Sequence, residues 1–320
     1  MIGSQQVPSH SNVPPINASA LSVISPVTAG SELIVESIAA YGHTPEHNVH
    51  HFLCETIGCG GEPAAFVAPS GASVWAGKYD DEYCTFSEPL ANEEQKIPLL
   101  IATVEHMLSG PGIKKVALEL HDSTRTRFLA ALPRTMRAIK PRYSLEWPLF
   151  DMRAYNPELP GKYFKKLRNT KNHFFTSHAL SVVPAAAVPS GTLANIVRAW
   201  KGMRKRNDFA YTSTYERHIA EGFPAATSAR VLLVNDRPVG FNVGWNIPNR
   251  PGAYYAAMGI HDYSVEGMGV VMNLEDLAWI KTQGYHTADF GGTEANGTQF
   301  KKQFGPSSYY RSTVFAVERA

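Results

Sequence analysis

Apolar positions recur at helical spacing in some stretches of the chain and alternate at strand spacing in others. Over 192–206, Leu193, Ile196, Val197, Trp200 and Met203 fall on one face of a 3.6-residue repeat, which predicts a helix. The same spacing predicts helices over 31–41, 97–108, 124–132, 162–173, 215–220, 270–282 and 298–304. A further start is expected at Thr44-Pro45-Glu46, where Thr can cap and Pro can occupy the first helical position. Short β-branched and aromatic runs bounded by turn residues predict strands at 65–67, 74–75, 115–120, 180–183, 254–260, 285–290 and 309–317. The runs 230–234 and 239–245 flank Asn235-Asp236, which predicts a β-hairpin.

Strands and helices alternate throughout, so the expected class is α/β (α+β), with mixed, mostly antiparallel sheets flanked by helices. Residues 1–30 are rich in Ser, Pro, Asn and Gln, and predict a flexible arm that buries too little to offset its ordering entropy. Length divides the remainder into a first mixed domain, 31–150, and a second, 151–320. No internal sequence repeat is visible.

Composition narrows the surroundings more than the chemistry. With 44% apolar residues the chain can bury substantial cores, and a net charge of +2 says little about partners. Three cysteines (Cys54, Cys59, Cys84) make an odd count without a disulfide framework, which points to a reducing compartment. The first thirty residues have no basic start followed by an apolar core, and no apolar run reaches the roughly 18 residues of a membrane span. A soluble cytoplasmic protein is the expectation.

Charge is less even locally. Lys162, Lys165, Lys166, Arg168 and Lys171 form one cluster, and Arg198, Lys201, Arg204, Lys205 and Arg206 another. These are either solvated basic helix faces or contacts for a phosphate-rich partner: tRNA, CoA or an anionic lipid surface. His43, His47, His50 and His51 read as a surface histidine group, because Pro45 interrupts the helix that a zinc site would need. No metal is assigned.

The chemistry concentrates near the C-terminus. Ser264-Val-Glu-Gly-Met-Gly269 opens a helix, and Gly267 and Gly269 can present bare N–H groups to a phosphate, or simply turn the chain. Asp289-Phe-Gly-Gly292 ends a strand, and Phe300-Lys-Lys302 begins a helix directly after it.

The order strand, two helices, three antiparallel strands, helix, strand, helix, strand resembles the GNAT acyltransferase fold. Gly284-Tyr-His-Thr-Ala-Asp-Phe-Gly-Gly292, followed by Phe300-Lys-Lys-Gln-Phe-Gly305, resembles the closing signature of the FemABX aminoacyltransferases. It is similar as well to the soluble C-terminal domain of phosphatidylglycerol lysyltransferases, as is Tyr163-Phe-Lys-Lys-Leu-Arg-Asn169 to the start of that domain. The likeness covers 150–320. It implies tandem GNAT-like domains, the first of them degenerate and matched only in length and mixed composition.

The resemblance also implies roles: Phe300 stacks on the donor and Lys301 stabilises developing negative charge. Gly267, Gly269, Lys302, Lys165 and Arg168 complete the expected donor site. In the acetyl-CoA loop of ordinary GNAT enzymes an Arg or Gln stands where this chain has Ser264, which moves the expected donor from acyl-CoA towards aminoacyl-tRNA. The expected reaction passes an aminoacyl or acyl group to an amine acceptor, with no bound cofactor. His261 and Glu266, with Asp262, flank the glycine turn as candidate bases, and Tyr309 and Tyr310 as donors to a leaving group. Two alternatives stand beside it: a CoA-dependent N-acyltransferase of a small metabolite, and a silent polyanion-binding module.

Overall fold

The structure is a computed structural model that describes residues 16–27, 31–204 and 210–320. In chain order its elements are β1 (Ser22–Ile24), α1 (Ser31–Tyr41), α2 (Val49–Gly58), β2 (Glu62–Val67), β3 (Ser73–Tyr79), β4 (Glu82–Leu90), α3 (Lys96–Ser109), β5 (Lys115–His121), α4 (Asp122–Ala131), β6 (Met136–Ala138) and β7 (Tyr143–Asp151). There follow α5 (Lys165–Ser177), β8 (Leu180–Pro184), α6 (Ser190–Gly202), α7 (Thr212–Ala220), β9 (Ser228–Val234), β10 (Arg237–Asn246), β11 (Ala253–His261), α8 (Met268–Thr282), β12 (Thr287–Asp289), α9 (Ala295–Lys302) and β13 (Ser308–Arg319).

Most elements form where the apolar pattern places them. In α6, Leu193, Ile196, Val197 and Trp200 are all buried, each worth about 1.5–3 kcal/mol of transfer free energy. Asn235 and Asp236 both take positive φ, 50° and 63°, as a two-residue hairpin between β9 and β10 requires. The helix expected over 298–304 runs instead over Ala295–Lys302, so Phe300, Lys301 and Lys302 close it and do not begin it. Two further expectations need correction. The helix expected at Thr44 begins instead at Val49, because Asn48 caps it by accepting from the N–H groups of His50 and His51. Within the expected flexible arm, Ser22–Ile24 pairs antiparallel with β2.

The strands of the described residues form one sheet in the order β1-β2-β3-β4-β5-β13-β7-β12-β11-β10-β9-β8, with β6 on β13. Only β4–β5 and β11–β12 are parallel pairs, and each holds for three residues before the strands splay apart. Next to each splay the register slips. On β11, Met258 faces Val243 and Ala256 faces Gly244, so Ala257 is extra; on β4 the slip falls between Phe86 and Leu90, where Ser87 takes φ 67°. Gly244 is required at the first bulge, because a Cβ there would run into the Tyr255 carbonyl and the Tyr254 phenol. The two halves therefore repeat one design that sequence comparison within the chain does not reveal.

They also trade strands. β7, which follows the first half, pairs with β12 of the second, whereas β13, at the end of the second, pairs with β5 of the first. β7 and β13 pair with each other over seven residues and make the sheet continuous. Apolar cores lie on both sides of this seam, one built by α3 on β2–β5 and one by α6 on β9–β11. The exchange directs the side chains of both splays towards one place.

Candidate active site

That place is a cavity of about 330 Å³ between the halves. Its first-half wall comes from α2 (His51, Glu55), β4 (Cys84–Ser87) and Glu119 of β5, with Glu46 beneath. Its second-half wall comes from Tyr255, Ala257 and Met258 of β11, Gly292 beyond β12, and Trp147 of β7.

Lys301 reaches this region from α9. Its ammonium donates to the carbonyl of Phe290 and, at 3.1 Å, to that of Gly291. Gly291 takes φ 73°, in the left-handed region, and a Cβ there would lie 3.4 Å from the Tyr255 hydroxyl and 3.9 Å from Lys301 Nζ, which places both side chains near this turn. Burial pulls the Lys301 ammonium down to about 8, against the charge of nearby Asp289. Asp289 accepts from the Tyr310 hydroxyl at 2.7 Å and from Gly291 N–H at 2.9 Å, and burial still lifts its carboxyl to about 6. The Tyr310 ring stacks on Trp147 at 5.4 Å. Trp147 Nε1 donates to Ser312 Oγ (2.9 Å), which donates to Glu119 Oε1 (2.6 Å).

The cavity is acidic. Burial raises the Glu55 carboxyl to about 7 and also raises that of Glu119. Burial, reinforced by the charges of Glu119, Asp289 and Glu55, raises that of Glu46 well above the carboxylate range. All four carboxylates bear on the Tyr255 phenol and, after burial, hold it protonated.

A stability prediction follows from these signs. A carboxyl whose folded pKa is raised binds its proton more tightly when folded, so acidification from pH 8 through the values near 7 and 6 stabilises the chain. Buried His47 and His51 (about 3) and His218 and His261 (about 4) act oppositely, and their stabilisation is lost below about 6.5. The thermal midpoint is therefore expected to rise from pH 8 to about 6.5, and below that the histidines oppose any further gain. A midpoint that falls steadily from pH 8 to 6.5 would show that the carboxylates are not held as described.

The residues singled out in the sequence divide between this cavity and a notch at the start of α8. Gly267, in the left-handed region at φ 76°, caps α8 and lies against Thr170 and Phe174 of α5. A Cβ on Gly269 would stand 3.0 Å from the His261 ring and 3.7 Å from Phe300, so Gly269, His261 and half-exposed Phe300 are gathered together. Burial lowers the His261 imidazole to about 4, and its Nδ1 is buried without a partner among the described residues. Glu266 is exposed beside the notch. Lys301 and Lys302, adjacent on α9, point apart: the first inwards, the second into solvent.

Lys165 is exposed at the start of α5, but Arg168 is engaged, donating to the carbonyls of Leu159 and, at 2.8 Å, Gly161. Tyr309 is exposed, whereas Tyr310 turns in to Asp289. In the second basic cluster Arg204 lies over the Trp200 ring at 4.4 Å, and Lys205 and Arg206 fall outside the described residues.

The expected surface histidine group is partly a buried one. His47 accepts from the N–H of His43 (3.0 Å) and bonds the Glu88 carbonyl (2.9 Å), and His51 meets His218 of α7 at 3.4 Å. The sequence reading missed Glu46, Glu55 and Glu119 altogether. They come from the turn before α2, from α2 and from β5, all in the half that carries no motif, and no spacing connects them.

A mostly antiparallel sheet, splayed twice beside helix starts and closed by exchanged strands, is the tandem GNAT-like fold. The family described as "Phosphatidylglycerol lysyltransferase, C-terminal" matches residues 46–316, and the chain belongs to it. No curated protein matches the chain in sequence. Among solved structures, L-PGS from Bacillus licheniformis is 16% identical with a TM-score of 0.63, over 91% of this chain and 92% of that one. A tandem GNAT protein from the clavulanic acid biosynthesis pathway is 9% identical (TM-score 0.59, 93% and 98% covered). FemX is 12% identical (TM-score 0.56, 92% and 96% covered). At such identities these structures are alike in fold. Among the described residues no helix is long and apolar enough to cross a membrane.

Proposed function

We propose that the chain transfers an aminoacyl group from a charged tRNA, within the cytoplasm, and that the acidic, aromatic-walled cavity beside Lys301 receives that group. The cavity carries the reading. An acetyl group is neutral and gains nothing from a wall built of Glu46, Glu55 and Glu119. An aminoacyl ester brings an ammonium, which offsets the clustered carboxylates and fits the faces of Trp147 and Tyr255. The donor ester then lies between the cavity and Lys301, with Phe300 available to stack on the terminal base and Lys302 and Lys165 near its phosphates. The α8 start at Gly267 and Gly269 adds a positive dipole end to the same path. On this reading 151–320 holds the donor and 31–150 closes the cavity.

The acceptor we propose is an amine. The family match favours a second reading, in which the acceptor is the glycerol hydroxyl of phosphatidylglycerol. Total tRNA charged with radiolabelled amino acids, offered with phosphatidylglycerol vesicles or with a panel of amines, separates the two by the labelled product. Transfer should vanish on RNase treatment. Activity indifferent to RNase but dependent on an acyl-CoA would replace this reading with the N-acyltransferase one, and polyanion binding without transfer from any donor would leave a silent module.

A further inference from the structure

Aminoacyl transfer leaves one task without a residue, since something must take the proton from the attacking nucleophile. The bases suggested by the sequence stand outside the cavity: His261 packs on the start of α8 and Glu266 is exposed beside it. Within the cavity region the carboxylates differ in what they already hold. Both oxygens of Asp289 are taken, by Gly291 and Tyr310. Glu119 is held by Ser312, and Glu46 by the Ser87 hydroxyl. The Glu55 carboxylate accepts no hydrogen bond among the described residues, whereas its backbone carbonyl accepts from Cys59 N–H. His51, one turn earlier on α2, brings its Nδ1 to 4.0 Å from the Glu55 carboxylate.

We propose that Glu55, supplied by the half without the donor motif, is the general base that takes the proton of the acceptor. The proposal rests on the aminoacyl-transfer reading and adds an acceptor-side residue to it. The His51 ring lies 5.0 Å from Trp245, and Trp245 lies 5.2 Å from Tyr255, whose hydroxyl adjoins Gly291. Glu55 and Tyr255 thus line walls of one cavity contributed by different halves, and Lys301 is held at the Gly291 carbonyl, next to the lining residue Gly292.

In the step itself, the acceptor's nitrogen or oxygen forms a bond to the ester carbonyl carbon while its proton passes to Glu55. Lys301 faces the oxyanion. The bond from carbon to the ribose oxygen then breaks, and that oxygen takes a proton from the Lys301 ammonium. Solvent afterwards returns a proton to Lys301 and removes one from Glu55. Atoms and charge balance without a further reactant.

The surroundings of Glu55 allow its titration to be recognised. On α2, His51 is held neutral by burial, and Cys59 just past its end is pushed up; His218 of α7, which meets His51, is likewise neutral. Tyr79 of β3 and Cys84 of β4 are pushed up as well, and Glu46 and Tyr255 stay protonated. Glu119 on β5 is the other carboxyl on this wall, and it is anchored to Ser312. Glu55, raised to about 7, is therefore the group placed to set an acid limb in that range.

The test compares wild type, Glu55→Gln and Glu55→Asp with total charged tRNA as donor and phosphatidylglycerol vesicles or the amine panel as acceptor, from pH 5.5 to 8.5. Glu55→Gln should lower kcat by about 100-fold or more, leave KM for the donor within about threefold and abolish the acid limb. Glu55→Asp should restore part of kcat with a displaced limb, which establishes that the site is folded. The proposal is overturned if Glu55→Gln keeps kcat within about threefold with its limb in place. It is overturned equally if the loss lies in donor KM alone, since Glu55 then only holds the aminoacyl cation. A wild type that transfers from charged tRNA to neither acceptor class removes the transfer reading, and this proposal with it.

Discussion

Replacing Lys301 with alanine is expected to slow transfer by about 10²–10³-fold, the loss typical of removing one preorganised donor to a developing oxyanion. The ammonium is fixed by two backbone carbonyls of the strand end and cannot swing away, so it faces the cavity edge before any substrate arrives. Burial strips it of water, which strengthens its field and explains why its pKa falls to about 8. The kcat profile of the wild type should therefore decline above about pH 8, as the ammonium loses its proton. Lys301→Arg keeps the charge, but its planar fork does not fit where a compact ammonium sits between Phe290 and Gly291, and it should recover little. Some stability is expected to go as well, because alanine leaves Asp289 without its nearby cation and two carbonyls without a donor. Measuring thermal midpoint alongside kcat separates the two. If a folded Lys301→Ala transfers within about threefold of the wild type, the reacting carbonyl is not beside Lys301.

That Lys301 lies near the Gly291-Gly292 strand end was legible in the sequence, because Phe300-Lys-Lys302 falls in the helix that follows; the role proposed for it came from the resemblance alone. That Lys302 is different was not legible. Neighbours on a helix diverge by about 100°, and only packing decides which one faces inwards. The same limit explains Arg168: the carbonyls of Leu159 and Gly161 that engage it lie in a loop whose return towards α5 no local pattern encodes. Helices such as α6 and the β9–β10 hairpin were readable because burial imposes a period and a positive-φ turn demands particular residues. The partners of β7 and β13 were not, since each strand's own alternation is satisfied equally well in either half. The cavity exists only because those two strands cross over. Glu46, Glu55 and Glu119 consequently looked like unrelated acids in a half without motifs, and His47 and His51 like surface histidines.

The largest loss of stability is expected at Arg230→Met, on the far side of the donor half. Arg230 on β9 is buried, donates to Glu275 and Asp276 of α8 at 2.5 Å each and to Ser228 Oγ at 3.1 Å, and lies 4.3 Å from the centre of the Trp279 ring. One cation thus holds two carboxylates. Even so, burial outweighs the arginine and lifts Asp276 to about 7, with Glu275 raised in the same direction. Methionine fills much of the volume but leaves two buried carboxylates side by side, for which about 3–5 kcal/mol is the usual cost. Their carboxyl pKa values must then rise further, so protonation relieves the defect: the deficit measured by urea unfolding should be larger at pH 8 than at pH 6. Arg230→Lys should rescue only partly, because one ammonium cannot reproduce the bidentate contact and the stacking together. The consequence reaches the site, because Gly267 and Gly269 begin the helix that Arg230 fastens. A variant that folds at pH 6 with its α8 register disturbed should bind donor more weakly while Lys301 is untouched. A deficit below about 1 kcal/mol that is also independent of pH would show that β9 and α8 are held together by their apolar contacts alone.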